Sequence, residues 1–401
     1  MKRVGLLLPT DLPTVDTIDD LISALAPGVC DDVVFVHSRS YTLPVTPEGL
    51  RRGVNVFGPG RALALEGSHV SIVPTRQISS VVLNGACYFP NSLSIVDRSM
   101  RLFLSGIENI GDPKRLADYD PFYFLGESGE LMIREKFFSD AVDMDIIAVP
   151  ACAAGFPNYG HFLYDGLPAA FMLSCILPGE RFRIVGQPLH SWQEQILSAL
   201  GLRDSYVEIK APVRFRKMLA STMLALHVSY PTGFVRPIFD FLRYRYGTRN
   251  TANKKLFISR GGSKKRWLLN RAEVEACATE FGFEIVRPEQ LSFAEQVRLF
   301  SNATVVIGES GAGMANVGFC QPGAAVLEIQ PERFFEGWTR AMCFLFGHRW
   351  HIYQAVDVPD FRSLYSDVDG TAETLLAYHV DIPEFRQAVS VLLDHAMIRS
   401  E

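Results

Sequence analysis

The sequence predicts an α/β fold: a strand-rich N-terminal region of mixed α/β structure, followed by two domains that each contain a parallel sheet. Beyond residue 142, short runs of β-branched and apolar residues alternate with segments of helical patterning, as is typical of parallel sheets. Before residue 142, short strand-like runs are separated by Gly, Pro and Asn. We therefore predict three segments, 1–142, 143–250 and 251–401.

Composition and charge narrow the class of protein. The 401 residues are 48% apolar and 21% charged, which is close to the average for globular proteins. A net charge of -5 argues against a protein that coats nucleic acid. The longest apolar runs are too short for a membrane span or a secretory signal. We expect a cytoplasmic protein that binds no nucleic acid and contacts membranes at most peripherally. The seven cysteines are widely spaced and form no C-x-x-C pair, so they predict neither a disulfide framework nor a zinc site.

The elements of the first two segments follow from short apolar runs and from the residues that interrupt them. In the N-terminal segment, 33–36 and 80–83 are predicted strands. In the middle segment, a buried strand at 146–149 leads through a loop ending at Asn158 into a helix that carries His161 and Asp165. A second strand at 183–186 and a second helix at 192–200 repeat the alternation.

The last segment has the most regular pattern. Strands are predicted at 255–259, 283–286, 304–307 and 324–329, with a final helix at 381–398. Capping-box-like spacings, Asn270 with Glu273 and Ser292 with Glu295, begin two of the intervening helices. Four strands alternating with three helices predict a doubly wound sheet with right-handed crossovers.

A basic stretch lies at the start of this last domain. Arg260 directly follows a predicted strand, at the carboxyl edge where open α/β sheets bind ligands. Its guanidinium can bind a diphosphate in a bidentate manner. We interpret Lys264 and Lys265 as solvated loop residues. From 252 to 271 there are seven basic residues and no acidic one: Lys254, Lys255, Arg260, Lys264, Lys265, Arg266 and Arg271.

A glycine-rich turn, G-E-S-G-A-G at 308–313, follows the third strand of this domain. Its backbone amides could approach an anion at the positive end of the helix that follows. The pattern is neither a dinucleotide fingerprint nor a Walker loop, and tight packing against the sheet explains it equally well. Asn316, one turn further on, could cap the helix or contact a ligand. The candidate residues of the turn are Gly308, Ser310, Gly311, Ala312 and Gly313.

The pair His161 and Asp165 is a candidate for acid–base chemistry. The i, i+4 spacing places both side chains on one helix face. The carboxylate could set the imidazole tautomer, or either group could act as general base. A histidine that is hydrogen-bonded in the core is the alternative.

Three further acidic sites, Glu328 and two D-x-D sequences, could bind a ligand or a metal. Glu328 ends an apolar strand, and a buried carboxylate is costly unless it is paired. Ribose hydroxyls or a structural ion pair would both satisfy it. The D-x-D sequences at 143–145 and 367–369 are interpreted as solvated, so no metal site is predicted.

At these residues the sequence resembles glycosyltransferase family 61. A second patch, 158–168, is similar to the family's N-x-x-H segment, with an acidic residue four positions after the histidine. Together the patches cover the two parallel-sheet domains but not the first 140 residues. The denser patch comprises 258–260, 266–270, 281–283, 288–289, 292–296, 308–316, 319, 322–323 and 327–329.

The resemblance implies a GT-B fold with two Rossmann-like domains, the acceptor-side domain at 143–250 and the nucleotide-sugar domain at 251–401. It implies inverting, metal-independent transfer from a UDP-linked nucleotide sugar to a saccharide or lipid-linked oligosaccharide, without a cofactor, in capsule or exopolysaccharide synthesis. Arg260 and Arg266 would bind the donor, with Arg260 on the diphosphate. The 308–313 turn would face the nucleotide, and Glu328 the ribose.

Two departures from the family pattern keep an alternative open. Ser310 stands where the family commonly has histidine, and Ala169-Ala170 stand where it often has arginine. A catalytically inactive nucleotide- or saccharide-binding scaffold on the same fold is therefore the second hypothesis. A homo-oligomeric state is left open.

Overall fold

The protein has a mixed α/β structure with several sheets. By its internal contacts the chain divides into two units: unit 1 comprises Met1–Tyr41 and Pro74–Ile238, and unit 2 comprises Thr42–Val73 and Phe239–Glu401. Within the described ranges, none of the helices is both long and apolar enough to cross a membrane. The computed structural model describes residues 2–38, 42–44, 56–58, 72–74, 77–103, 112–151, 156–177, 182–222, 233–248, 253–261, 265–334, 336–358 and 376–397.

The described strands include all those that the sequence predicts, with bounds shifted by a few residues. They are, in chain order, β1 (Lys2–Arg3), β2 (Gly5–Leu7), β3 (Thr14–Val15), β4 (Val33–Ser38), β5 (Thr42–Pro44), β6 (Val56–Phe57), β7 (Ile72–Pro74), β8 (Ile78–Asn84), β9 (Cys87–Phe89), β10 (Ser94–Val96), β11 (Arg101–Phe103), β12 (Tyr123–Leu125), β13 (Leu131–Ile133), β14 (Val142–Pro150), β15 (Phe182–Gly186), β16 (Tyr206–Glu208), β17 (Val213–Ser221), β18 (Lys254–Ile258), β19 (Trp267–Leu268), β20 (Glu284–Val286), β21 (Ala303–Glu309), β22 (Ala325–Pro331), β23 (Arg349–Asp357) and β24 (Ala377–His379).

The described helices are mostly short. A π-helical turn at Phe162–Gly166 and a 3-10 helix at Ala312–Phe319 stand where the sequence predicts ordinary helix. The α-helices are α1 (Ile18–Ala24), α2 (Leu116–Tyr119), α3 (Glu135–Ser139), α4 (Tyr159–His161), α5 (Leu167–Ile176), α6 (Ser191–Ala199), α7 (Arg236–Tyr246), α8 (Arg271–Glu280), α9 (Phe293–Phe300), α10 (Trp338–Phe346) and α11 (Ile382–Met397).

The main sheet of unit 1 joins the predicted N-terminal and middle segments. In it β14 pairs in parallel with β15 and β17, and β15 in parallel with β16. On its other side, β17 pairs in antiparallel fashion with β8 and β9 from the N-terminal region. The predicted boundary at residue 142 therefore does not separate two sheets. The reason is that every residue of β8 is buried, so its backbone needs a neighbouring strand, and β17 provides one.

The sheet of unit 2 has the order β19-β24-β23-β22-β21-β18-β20. Its strands β20, β18, β21, β22 and β23 are parallel, so their order across the sheet is 2-1-3-4-5 in chain sequence. The strand order therefore reverses between β18 and β21. Ligands of doubly wound sheets bind at the carboxyl ends of the strands at such a reversal.

Helices pack on both faces of this sheet. One face carries apolar residues such as Leu327 and Tyr353, which form a buried core with α8 and α11. Successive residues of a strand point to opposite faces, so Glu328 points away from this core, toward α10.

The two capping predictions differ in outcome. Ser292 and Glu295 form the predicted capping box at the start of α9. Asn270 precedes α8, but its side chain does not cap the helix. It exchanges two hydrogen bonds with the backbone of Val380 instead, at 2.8 and 3.1 Å, so it joins α8 to the segment after β24.

Candidate functional site

Arg260 and the glycine-rich turn meet at the carboxyl edge of the unit 2 sheet. Arg260 lies two residues beyond the end of β18, and Ser310 directly follows β21, its neighbour. The Arg260 guanidinium donates a hydrogen bond to the Ser310 carbonyl oxygen at 2.6 Å. The backbone amide of Arg260 donates to Oε1 of Glu309 at 3.0 Å. Two separate motifs of the sequence thus form one site at the point where the strand order reverses.

Glu309 organises this site. Its side chain is fully buried, and Arg271 binds it in a bidentate manner with N···O distances of 2.9 and 3.0 Å. The Tyr378 hydroxyl also donates to it, at 3.3 Å. Burial lowers the pKa of Arg271, but the hydrogen bonds and charge of Glu309 outweigh this effect and raise that pKa overall. Burial, and then the Glu309 charge, raises the pKa of Tyr378 well above its usual value.

Arg266 is held in an unusual conformation at the same site. Its backbone is left-handed, with φ at 53°, which is uncommon for a residue with a side chain. The guanidinium carbon lies 4.3 Å from the centroid of the Phe334 ring. Burial and then the positive charge of Arg260 lower the pKa of Arg266 to about 10. Burial likewise lowers the pKa of Arg260.

An anionic ligand would stabilise these guanidinium groups. Nε of Arg266 is buried and has no hydrogen-bond partner among the described residues. A buried donor without a partner is costly, and so are two cations in close proximity. The geometry therefore fits a ligand that carries negative charge, such as a phosphate.

The three glycines of the turn serve two purposes. A Cβ at Gly308 would collide with Met314 and Ile258, and one at Gly313 would crowd Ile258, so packing explains both glycines. A Cβ at Gly311 would lie 3.1 Å from the Cζ and Nε atoms of Arg260. The absence of a side chain at Gly311 therefore leaves room for the guanidinium of Arg260, the candidate ligand-binding residue.

Ser310 of the turn and Asn316 of the following 3-10 helix are buried, whereas Ala312 is partly exposed. Ala312 begins the 3-10 helix, and buried Asn316 donates to Gln296 at 3.0 Å and to the Gly313 carbonyl at 3.2 Å, as expected for a structural role. Ser310 is 2% exposed, and within the described part of the chain its hydroxyl has no hydrogen-bond partner of good geometry.

Glu328 requires a correction to the predicted ribose contact. Its carboxylate is fully buried and accepts hydrogen bonds from Thr339 Oγ1 at 2.9 Å and Trp350 Nε1 at 3.0 Å. Because the carboxylate is fully buried and protein donors already satisfy both of its oxygens, it needs neither a ribose nor a structural ion pair. Burial raises the pKa of Glu328 to about 7, and the hydrogen bonds, including the approach of the Ser310 hydroxyl, reduce the shift.

Glu328 predicts a pH-dependent stability. Because its pKa is about 7 in the folded protein and 4.5 when unperturbed, its favourable contribution is complete below pH 4.5 and is lost as the pH rises through 7. We expect Glu328→Gln to become more stable relative to the wild type by about 2–3 kcal/mol between pH 5 and pH 8. Urea unfolding at both pH values measures this difference. Exposed Glu273→Gln is the control, and parallel pH curves for the wild type and Glu328→Gln would contradict the prediction.

In unit 1, His161 and Asp165 form a hydrogen-bonded pair. Asn158 caps α4 by accepting from the backbone amides of Gly160 and His161 at 2.9 and 3.3 Å. The π-helical turn then carries Asp165, whose Oδ2 lies 2.6 Å from Nδ1 of His161. π-Helical turns within α-helices occur frequently at functional sites.

The two members of this pair differ in exposure. The Asp165 side chain is 1% exposed and that of His161 is 33% exposed. A buried carboxylate on Nδ1 favours the tautomer that leaves Nε2 able to accept a proton. Ala169 and Ala170, where the sequence departs from the family pattern, are buried in α5, as is Pro168 before them.

The acidic D-x-D sequence at 143–145 is solvated, as predicted. Asp143 and Asp145 are exposed on β14 and pair with Arg214 and Arg216 of β17 at 3.3 and 2.6 Å. No cluster of three or more potential metal-ligating side chains occurs among the residues that the structure describes. The second D-x-D at 367–369, Lys264 and the loop residues 152–155 lie outside the described residues.

Sequence reasoning missed four residues of the unit 2 site. Arg271 appears in the sequence only as part of the basic stretch, and Glu309 only as a neighbour of the unusual Ser310. Phe334 and Tyr378 carry no local signal, since each reaches the site through tertiary contacts. The excess of basic residues around Arg260 is the one signal that could have indicated a buried carboxylate among them.

A protein-family model matches part of the chain. The family model described as Glycosyltransferase 61 matches residues 159–327, a segment that includes His161, Asp165, Arg260 and the 308–313 turn. A search of curated proteins finds no match. Over residues 159–327 the chain is therefore similar to glycosyltransferase family 61.

Proposed function

We propose that this protein is an inverting, metal-independent glycosyltransferase that moves a sugar from a UDP-linked donor to a saccharide acceptor. The observation that carries the proposal is the cluster of half-buried Arg260, Arg266 and Arg271 at the carboxyl edge of a doubly wound sheet, where buried Glu309 binds the Arg260 backbone and the Arg271 side chain. From the resemblance to glycosyltransferase family 61 we further propose a role in bacterial capsule or exopolysaccharide synthesis, in the cytoplasm, with a saccharide or lipid-linked oligosaccharide as acceptor.

The arginine cluster would stabilise the leaving group. When the bond between the anomeric carbon and the diphosphate breaks, the bonding electron pair stays on the phosphate oxygen, which gains negative charge. Guanidinium groups that are already fixed near that oxygen stabilise this charge without reorganisation. Glu309 contributes by holding the Arg260 backbone and the Arg271 side chain in place.

The His161–Asp165 pair would activate the acceptor. In this scheme Nε2 of His161 takes the proton of an acceptor hydroxyl, and the oxygen attacks the anomeric carbon in one displacement with inversion. Asp165 stabilises the imidazolium that forms, since its carboxylate is buried against Nδ1. The exposure of His161 and the burial of Asp165 favour His161 as the base and Asp165 as the positioning residue.

Calorimetry with UDP, GDP, ADP and CMP tests the donor site. We expect UDP to bind the wild type with no requirement for a divalent cation. Gly311→Ala should bind about tenfold more weakly, because its methyl group would contact the Arg260 guanidinium. Gly233→Ala is the control, since a Cβ there contacts nothing within 4 Å.

Each outcome of this experiment decides between hypotheses. UDP binding together with slow hydrolysis of a UDP-sugar supports the enzyme. Nucleotide binding without hydrolysis or transfer supports the second hypothesis, an inactive scaffold, which is based on Ser310 standing where the family commonly has histidine. Absence of nucleotide binding, or binding that disappears with EDTA, would overturn the proposal.

A further inference from the structure

Two segments of unit 1 leave the same edge of its sheet. β14 and β15 are adjacent and parallel, with Pro150 opposite Val185, so both end at one edge. The chain after β14 leads to α4 and its residue Tyr159, and the chain after β15 leads to His190 and α6. This carboxyl edge is where open α/β sheets bind ligands.

Four aromatic side chains gather on these two segments, and we call them the aromatic shelf: Tyr159, Phe162, His190 and Trp192. The Trp192 ring lies 5.5 Å from the Tyr159 ring and 5.3 Å from the Phe162 ring, in edge-to-face contacts. The His190 and Trp192 ring planes are parallel within 7°, with centres 6.2 Å apart. His190 is exposed and Trp192 is partly exposed, so both remain accessible to solvent.

Hydrogen bonds hold the shelf in a fixed arrangement. Gln193 is buried, and its Nε2 donates to the Phe156 carbonyl at 2.8 Å. Its Oε1 accepts from the backbone amide of His190, also at 2.8 Å. One side chain thus joins the start of α6 to the segment before α4, and the parallel rings are held before any ligand arrives.

The chemistry of the shelf fits a sugar ring. A pyranose presents C–H groups on its faces and hydroxyls around its rim, so a face packs on an aromatic ring while the rim forms hydrogen bonds. The exposed imidazole of His190 can form such a hydrogen bond. No lysine or arginine is among the four shelf residues, unlike the arginine cluster of unit 2, so a neutral ligand is favoured over a phosphate.

We propose that His190 and Trp192 form a subsite for a sugar ring of the acceptor. Tyr159 and Phe162, which contact Trp192, flank His161 in the chain, so the subsite packs against the helical segment that carries His161. The assignment to the acceptor rests on the proposed function, because that function makes His161 the acceptor's base. The affinity for a saccharide does not depend on that assignment.

Saturation-transfer NMR with cellobiose, maltose, xylobiose and diacetylchitobiose tests the subsite. We expect at least one of these disaccharides to receive saturation, most strongly at the C–H groups of one ring face. His190→Ala and Trp192→Leu should each weaken that binding about tenfold. Trp192→Phe should retain part of it, which separates loss of the shelf from loss of folding. Ser198→Ala, exposed at the far end of α6, is the matched control.

UDP binding is measured in the same samples. Retained UDP binding without saccharide binding, or saccharide binding unchanged in His190→Ala and Trp192→Leu, would overturn the subsite and leave the proposed function intact. Saccharide binding that depends on the shelf, combined with no UDP binding, would support the subsite and refute the donor site.

Discussion

Replacing Arg260 with alanine is expected to lower turnover by about 10²–10³ while the protein stays folded. The guanidinium lies at the reversal point of the sheet, where it would stabilise the charge on the departing diphosphate. We expect its removal to cost the fold little, because the backbone amide of Arg260 keeps its bond to Glu309 when the side-chain bond to the Ser310 carbonyl is lost. Steady-state kinetics and thermal unfolding on the same preparation measure both effects.

Two variants sharpen this test. Arg260→Lys keeps the charge but loses the planar fork of donors, so we expect activity between that of the wild type and that of the alanine variant. Lys254→Ala removes a cation from the opposite end of β18, where it forms an exposed pair with Glu284, and should leave turnover unchanged. Native turnover in Arg260→Ala would show that the diphosphate binds elsewhere.

Asp165→Asn is expected to lower the transfer rate by about 10²–10⁴, the usual contribution of a positioned acid–base group. An amide can donate to Nδ1 of His161 where the carboxylate accepts, and it would then favour the tautomer that carries its proton on Nε2. Donor binding measured by calorimetry should be unchanged, because the arginine cluster belongs to the other unit.

His161→Ala distinguishes the base from its positioning residue. If His161 is the base, this variant loses as much activity as Asp165→Asn, and the double variant loses no more than His161→Ala alone, because residues that act as a unit are not additive. Activity that survives in His161→Ala but not in Asp165→Asn would make Asp165 the base.

Local sequence predicts the fold of unit 2 well. The strands β18, β21 and β22 and the capping box at Ser292 were all predicted, because each depends on residues close together in the chain. The position of Arg260 beside the 308–313 turn also follows, since parallel strands end at one edge. The absence of a sheet boundary at residue 142 could not be predicted from local sequence. The reason is that the antiparallel pairing of β17 with β8 and β9 joins strands more than a hundred residues apart.

The same distinction applies to the candidate sites. The sequence by itself determined which chemistry is present, namely a histidine and an aspartate four residues apart, an arginine after a strand and a glycine-rich turn, since spacing along the chain places such groups. Only the tertiary structure decided that Glu309 binds Arg271 and that Glu328 is enclosed by Thr339 and Trp350. A buried carboxylate must find donors, and the donors nearest in space can come from any part of the chain.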